Sequence, residues 1–565
     1  MVQRIIECVP NFSEGRDLNI IAQITATIES VKGVRLLDVD PGEATNRTVV
    51  TFVGEAEAVV EAAFWAVKKA SELIDMRSHK GAHPRLGATD VLPLIPISGI
   101  TLEECAALAR TLAERIATEL AIPTYCYEAA AFTPARRNLA VCRKGEYEAL
   151  PQRAMQQGEA PDFGARPFDE AMARTGAINV GARDFLIAVN FNLNTTSTRR
   201  ANAIAFDVRE KGRPMREGGL LTGKPLKDEA GKPIMIPGTL KECKAIGWFI
   251  EEYGIAQVSV NLTNIAVTPL HVAFDEVSRA AAARGLRVTG TEIVGLTPRR
   301  ALLEAGRHYL TLQQRSLGIS DEETIRIAIK SMGLDDLKPF NPSEKIIEEL
   351  LASGTETNSL VDMSCKAFAV ETASESPAPG GGSISAYMGA LGAALATMVA
   401  NLSAHKAGWD DRWEEFSQVA VKGQALMSEL LHLVDEDTAS FNAIMAVFAM
   451  PKSTDEERAA RAEALEAATL YATEVPLRTM RASYAAFALA EAMAANGNPN
   501  SVSDAGVGAL ALRGAVMGAG LNVKINAAGL KDRAAAEALV AEAKELIEKA
   551  QAEEARILEI VEAKL

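Results

Sequence analysis

Apolar residues in the first third of the chain follow two alternating periodicities. Runs rich in β-branched residues predict strands at 4–12, 34–40, 48–54, 91–97 and 124–128. Helical spacing predicts helices at 17–30 and 56–74, and a third helix begins at Thr101, which forms a capping-box pattern with Glu104. The order β-α-β-β-α-β-α-β favours helices packed on one face of a sheet, as in a split βαβ unit.

A second α/β pattern begins near residue 183, and the last part of the chain changes class. Here the spacing predicts strands at 184–193, 256–264 and 286–291 and helices near 197–210, 239–252 and 269–284. The Gly-, Pro- and Lys-rich stretch 213–238 indicates a long surface insertion. After about residue 335 only Ala-rich helical patterns remain, which predicts an all-α domain. We therefore expect α/β subdomains at 1–182 and 183–335, a linker at 336–357 and a helical domain at 358–565.

Composition narrows the class of protein. A chain of 565 residues is too long for one core. Its net charge of −15 argues against a nucleic-acid binder. The N-terminal apolar run is too short for a signal peptide, and the Ala- and Gly-rich stretch 384–402 is typical of a buried bundle helix rather than a membrane span. Six cysteines without a C-x-x-C spacing indicate free thiols in a reducing cytoplasm.

The densest polar cluster, at 77–87, holds two of the six histidines, His79 and His83. A helical zinc pair needs both imidazoles on one helical face, and Gly81 and Pro84 break any helix here. Three interpretations of the cluster are chemically possible: a metal site, a structural loop or an anion-binding catalytic loop. The anion-binding catalytic loop is favoured.

Two further features lie in the helical part. The glycines at 380–382 stand before a predicted helix, where free backbone N–H groups can bind an anion. The segment is not a P-loop, because no Gly-Lys-Ser/Thr follows. The alternative role of these glycines is to allow close packing between helices. In the acidic run at 435–437, Asp435 and Asp437 point roughly 200° apart on a helix. Asp437 shares a face with Phe441, so Asp437 is the one expected to face inward, unless the run is only a solvated face.

Several longer sequence motifs are more specific than these short patterns. Together they resemble the formimidoyltransferase-cyclodeaminase family over essentially the whole chain. The matching strings lie at 8–15, 38–40, 45–48, 83–87, 145–151, 161–164, 181–183, 245–248, 377–383, 433–441, 501–504 and 522–526. The resemblance implies two ferredoxin-like α/β sandwich subdomains followed by an all-α domain. It also implies a bifunctional enzyme of histidine degradation. Such an enzyme transfers the formimino group of N-formimino-L-glutamate to tetrahydrofolate, then cyclodeaminates 5-formiminotetrahydrofolate to 5,10-methenyltetrahydrofolate and ammonia.

For the transferase half, the resemblance assigns the catalytic acid/base to His83. An imidazole, with an ordinary pKa of about 6.5, can take the proton of folate N5 and supply one to the leaving nitrogen. Asp40 is expected to orient the cationic formimino group. Arginines would hold substrate carboxylates through bidentate pairs, and a folate segment would begin after the D-F-G string. These binding residues are Arg47, Arg77, Arg85, Gly164 and Gly181. The sequence at 165–170 differs from that of the family, and Ala82 stands where relatives often have glutamate.

For the helical half, the resemblance assigns the catalytic aspartate to Asp437. Folate binding is expected at Gly380, Gly381, Gly382, Ser383 and Asn522. It further implies tetrahydrofolate as a co-substrate, in polyglutamylated form, and a homo-oligomer, an octamer in mammalian relatives. No metal is expected, because the sequence holds no four-ligand constellation of nitrogen and sulfur donors. Three alternatives stay open: one active half only, a folate-binding protein without turnover, and a metal-dependent hydrolase of N-formimino-L-glutamate.

Overall fold

The structure is a computed structural model that describes residues 4–42, 46–80, 85–219, 223–352, 359–376 and 378–565. The chain forms two compact units, Met1–Ala301 with Met332–Gly354, and Leu302–Ser331 with Thr355–Leu565. The first unit combines sheets and helices, and the described residues of the second are helical. The coarse fold class, an N-terminal α/β part followed by an all-helical region, is therefore confirmed. The four segment boundaries expected from the sequence stay predictions.

The first part of the α/β unit is built on a seven-stranded sheet. Its strands are β1 Ile5–Cys8, β2 Asn11–Phe12, β3 Val34–Gly42, β4 Arg47–Glu55, β5 Thr89–Ser98, β6 Thr124–Glu128 and β7 Ile178–Ala182. Its helices are α1 Leu18–Glu29, α2 Ala56–Leu73 and α3 Leu102–Glu119, followed by the short helices α4 Leu139–Cys142, α5 Leu150–Arg153 and α6 Glu170–Thr175. Strands β1 and β2 both lie between β4 and β5, and Pro10, which lacks a backbone N–H, stands between them.

The two faces of this sheet differ. Ile6 and Cys8 of β1 belong to the apolar core formed with the buried sides of α1, α2 and α3. Since side chains alternate along a strand, the intervening Glu7 lies on the other face. The register places Val53 of β4 and Ile95 of β5 opposite Glu7, on that same face. The helices therefore cover one face and leave a second, partly polar face.

The second part of the unit is a four-stranded antiparallel sheet in the order β11-β12-β8-β13. Its elements are β8 Ile187–Leu193, α7 Thr198–Val208, the small ribbon β9 Arg213–Pro214 and β10 Met235–Ile236, β11 Cys243–Ile250, β12 Ile255–Leu262, α8 Leu270–Ala282 and β13 Val288–Val294. The ribbon lies inside the predicted insertion, whose described residues are mostly exposed.

The helix predicted at 239–252 is wrong, because this stretch forms strand β11. Cys243, Ala245 and Gly247 are buried while the residues between them are exposed, which is the period of two of a strand. All eight residues of β11 pair with β12, from Cys243 opposite Leu262 to Ile250 opposite Ile255.

Every regular element after β13 in the described residues is a helix. They are α9 Arg299–Leu312, α10 Asp321–Met332, α11 Pro342–Lys345, α12 Ile347–Ala352, α13 Cys365–Thr372, α14 Gly381–Ala404, α15 Trp413–Phe448, α16 Asp455–Asn496, α17 Val502–Ala527 and α18 Arg533–Glu562. One core joins α14 to α18, and small residues such as Ala393 and Ala519 let the helices approach closely. Short helices α11 and α12 occupy part of the predicted linker.

Two helical stretches, Gly381–Ala404 and Pro499–Ala527, are long and apolar enough to cross a membrane by length and composition. The apolar windows of these stretches are 61% and 50% buried within the protein. Burial of this extent is the usual state of core helices in a helical bundle.

Candidate functional sites

A pocket in the helical unit is lined by residues from four helices. Its lining comprises the start of α14, the middle of α15, one residue of α16 and two asparagines of α17, around a cavity of about 160 Å³. The lining residues are Ala378, Gly380, Gly381, Gly382, Asp437, Thr438, Ser440, Phe441, Ile444, Ala472, Asn522 and Asn526. The structure therefore brings together most of the residues that the sequence singled out in this half.

Asp437 is the acidic group of this pocket. Its carboxylate oxygen Oδ2 lies 3.0 Å from Ser383 Oγ, and the same hydroxyl lies 2.9 Å from the carbonyl oxygen of Val434. Burial raises the pKa of Asp437 above its ordinary value, and hydrogen bonds from the side chain and backbone of Ser383 lower it in part. A carboxyl group with a raised pKa is suited to taking and returning a proton.

The glycines at the start of α14 differ in how closely they approach Asp437. A Cβ atom added to Gly382 would stand closer than 3.0 Å to the Asp437 carboxylate. A Cβ added to Gly381 would meet only Asn522, with Nδ2 at 3.5 Å, an ordinary contact. The absence of a side chain at 382 is therefore what lets the carboxylate reach the first turn of α14.

The neighbours of Asp437 on α15 point elsewhere. Asp435 accepts hydrogen bonds from Ser359 Oγ at 2.6 Å and from the backbone N–H of Leu360 at 2.7 Å. Glu436 accepts hydrogen bonds from Tyr471 and Arg478. Asp437, by contrast, lines the pocket together with Phe441. The helical-face argument thus gave the correct orientation of these two aspartates.

The two pocket asparagines are held by backbone carbonyls. Asn522 Nδ2 donates to the carbonyl of Gly518 at 3.1 Å, one turn earlier on the same helix. Asn526 Nδ2 donates to the carbonyl of Ala472 on α16 at 2.6 Å. Asn526 belongs to the sequence motif at 522–526, whose asparagines are expected to line the same pocket, and its spacing of four residues from Asn522 places both on one face of α17.

In the α/β unit, a hydrogen-bonded network surrounds the histidine cluster. The side chain of Asn46 accepts from the backbone of Gly15 at 3.0 Å and donates to the carbonyl of Lys80 at 3.1 Å. His79 Nε2 lies 2.9 Å from the carbonyl of Asn46, and Arg85 Nε donates to His79 Nδ1 at 3.4 Å. Burial lowers the pKa of His79, so its ring is neutral and Nε2 carries the proton donated to Asn46.

His83, the predicted acid/base, lies outside the described residues, which end at Lys80 and resume at Arg85. The described residues on either side, Lys80 and Arg85, both belong to the network around Asn46 and His79.

Asp40 and Arg47 form part of a charged group that extends beyond the sequence prediction. Burial lowers the pKa of the half-buried Arg47, the charges of Asp90 and Asp40 raise it, and Arg143 lowers it. Asp90 is completely buried and pairs with Arg143, whose Nε lies 3.2 Å from Asp90 Oδ1. The sequence did not predict Asp90 and Arg143 as site residues, because they lie 53 residues apart and belong to none of the motifs that resemble the family.

The other two predicted arginines already bind carboxylates of the chain. Arg77 forms a bidentate pair with Asp75 and a second pair with Glu170 on the surface. Arg85 donates to Glu148 at 2.7 and 2.9 Å and to Glu146 at 3.2 Å. To hold a substrate carboxylate, each guanidinium would have to share or exchange one of these partners.

The two predicted glycines of this half lie in different surroundings. Gly164 has φ +69° and stands beside Ala117 of α3, so it serves a turn that needs a left-handed residue. Gly181 lies in β7, where an added Cβ would stand 2.5 Å from the ring of Tyr127. Among the described residues, no group of three or more His, Cys, Asp or Glu side chains could hold a metal ion.

Family models match three consecutive parts of the chain. The formiminotransferase domain, N-terminal subdomain, matches residues 5–183, the formiminotransferase domain matches 188–352, and the model described as formiminotransferase-cyclodeaminase matches 364–545. The three matches follow the change from α/β to all-helical structure.

Known proteins match either the whole chain or one part of it. The mouse formimidoyltransferase-cyclodeaminase is 40% identical over 563 residues, covering 100% of both chains. The glutamate formimidoyltransferase of Streptococcus pyogenes is 40% identical over 310 residues, 55% of this chain and 94% of the relative. The methenyltetrahydrofolate cyclohydrolase of Methylorubrum extorquens is 42% identical over 193 residues, 34% of this chain and 93% of the relative.

Together, the fold, the pocket of the helical unit and these matches define an enzyme of folate one-carbon chemistry with a transferase half and a helical half. The chain belongs to the formimidoyltransferase-cyclodeaminase family. The resemblance inferred from the sequence strings is thereby confirmed.

Proposed function

We propose that the two halves of this chain perform successive reactions on one folate. The α/β half transfers the formimino group of N-formimino-L-glutamate to tetrahydrofolate, and the helical half cyclodeaminates 5-formiminotetrahydrofolate to 5,10-methenyltetrahydrofolate and ammonia, in histidine degradation. The observation that carries this function is the full-length match to two-activity relatives, together with separate single-activity relatives for the first half and the last third.

A simple experiment tests this function. Incubation of the chain with N-formimino-L-glutamate and tetrahydrofolate is expected to release glutamate and ammonia, because transfer must precede ring closure. Release of either product when the folate is withheld would favour the metal-dependent hydrolase instead. Tight folate binding without any product would favour the binding protein.

In the transferase half, His83 is the proposed acid/base, and Asp40 the proposed partner of the cationic formimino group. Asp40 is exposed on β3 and within electrostatic reach of Arg47, which supports a shared site for a cation and a carboxylate. Arg77 and Arg85 are proposed to hold substrate carboxylates. Gly164 and Gly181 are proposed to flank the folate.

In the helical half, Asp437 is the proposed catalytic group. Ring closure forms a bond from folate N10 to the formimino carbon and breaks the bond from that carbon to the departing ammonia nitrogen. A carboxylate that takes the N10 proton and returns it to the leaving nitrogen balances the reaction. The first turn of α14, from Gly380 to Ser383, and the amide of Asn522 are proposed to hold the folate at the N-terminus of this helix.

The glycine at 382 gives a sharp test of this site. Gly382→Ala is expected to displace the Asp437 carboxylate and lower the ring-closing rate by roughly 10²-fold, since small misplacements of a reacting group have effects of this order. Formimino transfer should be unchanged. Gly381→Ala is the matched control, because its Cβ meets only ordinary contacts. Equal rates for the two variants would contradict the proposed contact.

Ser383→Ala tests the titration of Asp437. The variant removes a hydrogen bond that lowers the pKa of Asp437, so this pKa should rise further. Because ring closure needs the carboxylate as a base, the rate is lost as the pH falls through this pKa. The acidic limb of the pH profile, measured with supplied 5-formiminotetrahydrofolate, should therefore move to higher pH. A limb that stays in place or moves to lower pH would exclude Asp437 as the titrating group.

Finer features are also proposed. Both α/β subdomains are ferredoxin-like sandwiches. In the second subdomain the elements β8-α7-β11-β12-α8-β13 have the order βαββαβ, with the helices against a sheet ordered β11-β12-β8-β13. In the first subdomain, β1 to β5 with α1 and α2 repeat this order.

The second activity is that of a lyase, and the folate substrate is polyglutamylated. The protein is a cytoplasmic homo-oligomer, an octamer, with no nucleic-acid or membrane partner. The net charge of −15 and buried cysteines such as Cys126 support this environment.

Neither reaction is proposed to use a metal. Treatment with EDTA is expected to leave the rates of both steps unchanged, because proton transfer and electrostatic stabilisation by side chains suffice for this chemistry. Metal analysis of the untreated protein is the matched measurement. Stoichiometric zinc bound through His79 and His83, or loss of activity with EDTA and its return with zinc, would contradict this proposal.

A further inference from the structure

Arg143, which no motif of the sequence assigns, lines an open cavity of the α/β unit. The cavity measures about 550 Å³ and is formed by α4 and the loop that follows it. Its charged lining residues are Arg143, Lys144, Glu146 and Glu148. A cavity of this size can accept a small polar side chain together with its water.

A buried carboxylate fixes the guanidinium of Arg143. Arg143 donates through Nε to Asp90 Oδ1 at 3.2 Å and through Nη2 to Asp90 Oδ2. The carboxylate also accepts from the backbone N–H of Leu86 at 3.0 Å, and Asp90 is completely buried. Within the described parts of the chain, the third nitrogen of the guanidinium, Nη1, has no hydrogen-bond partner. Arg143 is therefore held in place with one edge and keeps the donors of the other.

The other charged groups at the cavity are paired within the chain. Glu146 and Glu148 both bind Arg85. Lys144 pairs with Glu159, and its side chain is 70% exposed, whereas that of Arg143 is only 17% exposed. Arg143 is thus the cation at the cavity whose position is fixed by burial. A preorganised guanidinium of this kind is suited to binding a carboxylate.

Arg47 connects this pair with the proposed transferase site. Arg47 lies within electrostatic reach of Asp40, and it lies within the same reach of Asp90 and Arg143. In the sheet, Asp40 pairs with Val49, two residues from Arg47, so Asp40 and Arg47 share one face. The site therefore offers an anion, a neighbouring cation and a further cation. N-formimino-L-glutamate carries the opposite charges in that order: the formimino cation, the adjacent α-carboxylate and the more distant γ-carboxylate.

We propose that Arg143 binds the γ-carboxylate of N-formimino-L-glutamate and makes the transferase selective for a glutamate derivative. This inference rests on the proposed transfer reaction and adds a residue to its substrate site. Asp40 faces the formimino cation and Arg47 the α-carboxylate, while the side chain of the substrate extends to Arg143. Asp90 is the positioning residue that holds the guanidinium of Arg143.

A comparison of two substrates tests the proposal in the full chain. N-formimino-L-glutamine has the shape of N-formimino-L-glutamate but carries a neutral amide in place of the γ-carboxylate. Its kcat/KM for transfer, measured as released amino acid, should be roughly 10- to 100-fold lower with the wild-type protein, the usual effect of losing a hydrogen bond between charged groups. Arg143→Met should lower kcat/KM for the glutamate derivative by a similar factor, mainly through KM, and change that for the glutamine derivative little. The two substrates should then react about equally well.

Two further variants separate binding from folding. Arg143→Met leaves Asp90 buried without its partner, which destabilises a protein. Adding Asp90→Asn removes this buried charge, and the double variant should show the same loss of selectivity. Arg143→Lys keeps the charge without the planar fork and should retain part of the selectivity. Arg115→Met, which removes an arginine paired with Glu61 on the helices α2 and α3, is the matched control and should keep the wild-type selectivity.

The ratio of the two kcat/KM values decides the outcome. A wild-type protein without preference for the glutamate derivative would overturn the proposal, as would an Arg143→Met protein that keeps the wild-type preference. Equal loss of both substrates in the single and the double variant would also overturn it, in favour of a purely structural pair. Absence of transfer by the wild-type chain from either substrate would refute the proposed function itself, and this inference with it.

Discussion

Asp437→Asn is expected to stop ring closure while formimino transfer continues, so that 5-formiminotetrahydrofolate accumulates. The substitution preserves size and the hydrogen bond with Ser383 but removes the group that takes the N10 proton and returns it to ammonia. The rate of the ring-closing step should fall by roughly 10²–10⁴-fold. Glutamate release, methenyl-folate absorbance and ammonia, followed in one reaction, separate the two steps.

Asp435→Asn is the control for this variant. Asp435 accepts hydrogen bonds from Ser359 and Leu360 and does not line the pocket, so the amide should weaken that attachment and leave ring closure largely intact. If Asp435→Asn stopped ring closure and Asp437→Asn did not, the assignment on α15 would be wrong. If neither mattered, ring closure would not depend on a carboxylate of α15.

His83→Ala should abolish formimino transfer and leave closure of supplied 5-formiminotetrahydrofolate near the wild-type rate. The imidazole is the group proposed to move protons in the first reaction, and its loss should lower that rate by at least roughly 10²–10⁴-fold. Effects at sites in separate cores are normally independent, so the second reaction should be unaffected.

His79→Gln distinguishes the two histidines of the cluster. The His79 ring already donates to the carbonyl of Asn46 and accepts from Arg85, so its replacement should disturb the loop without removing the proton carrier. A larger loss of transfer in His79→Gln than in His83→Ala would reverse the assignment. Loss of both activities in a folded His83→Ala protein would refute two separate sites.

Local patterns predicted most of the fold. The capping box of Thr101 and Glu104 forms as expected, and β6 occupies Thr124–Glu128 as predicted. The errors have physical causes. Strand β11 was taken for a helix because its exposed positions carry Ile246 and Trp248, which hide the alternation of a half-buried strand. Strand β7, at Ile178–Ala182, was missed because all five of its residues are buried and show no alternation.

The candidate sites could be predicted only in part for a similar reason. Helical spacing sufficed to orient Asp437 against Asp435, because both lie on one regular helix. The pair of Asp90 and Arg143, for example, joins a strand to a distant loop. Such contacts depend on tertiary packing, which local spacing does not encode.

The most direct test of the central claim, two successive reactions in one chain, is a coupled assay with N-formimino-L-glutamate and tetrahydrofolate. Glutamate release, ammonia release and methenyl-folate absorbance are followed together in the wild-type protein. Glutamate should appear first, and ammonia and 5,10-methenyltetrahydrofolate should then appear in equal amounts, with no product when either substrate is withheld. Glutamate without any methenyl-folate, or ammonia in the absence of folate, would contradict the account.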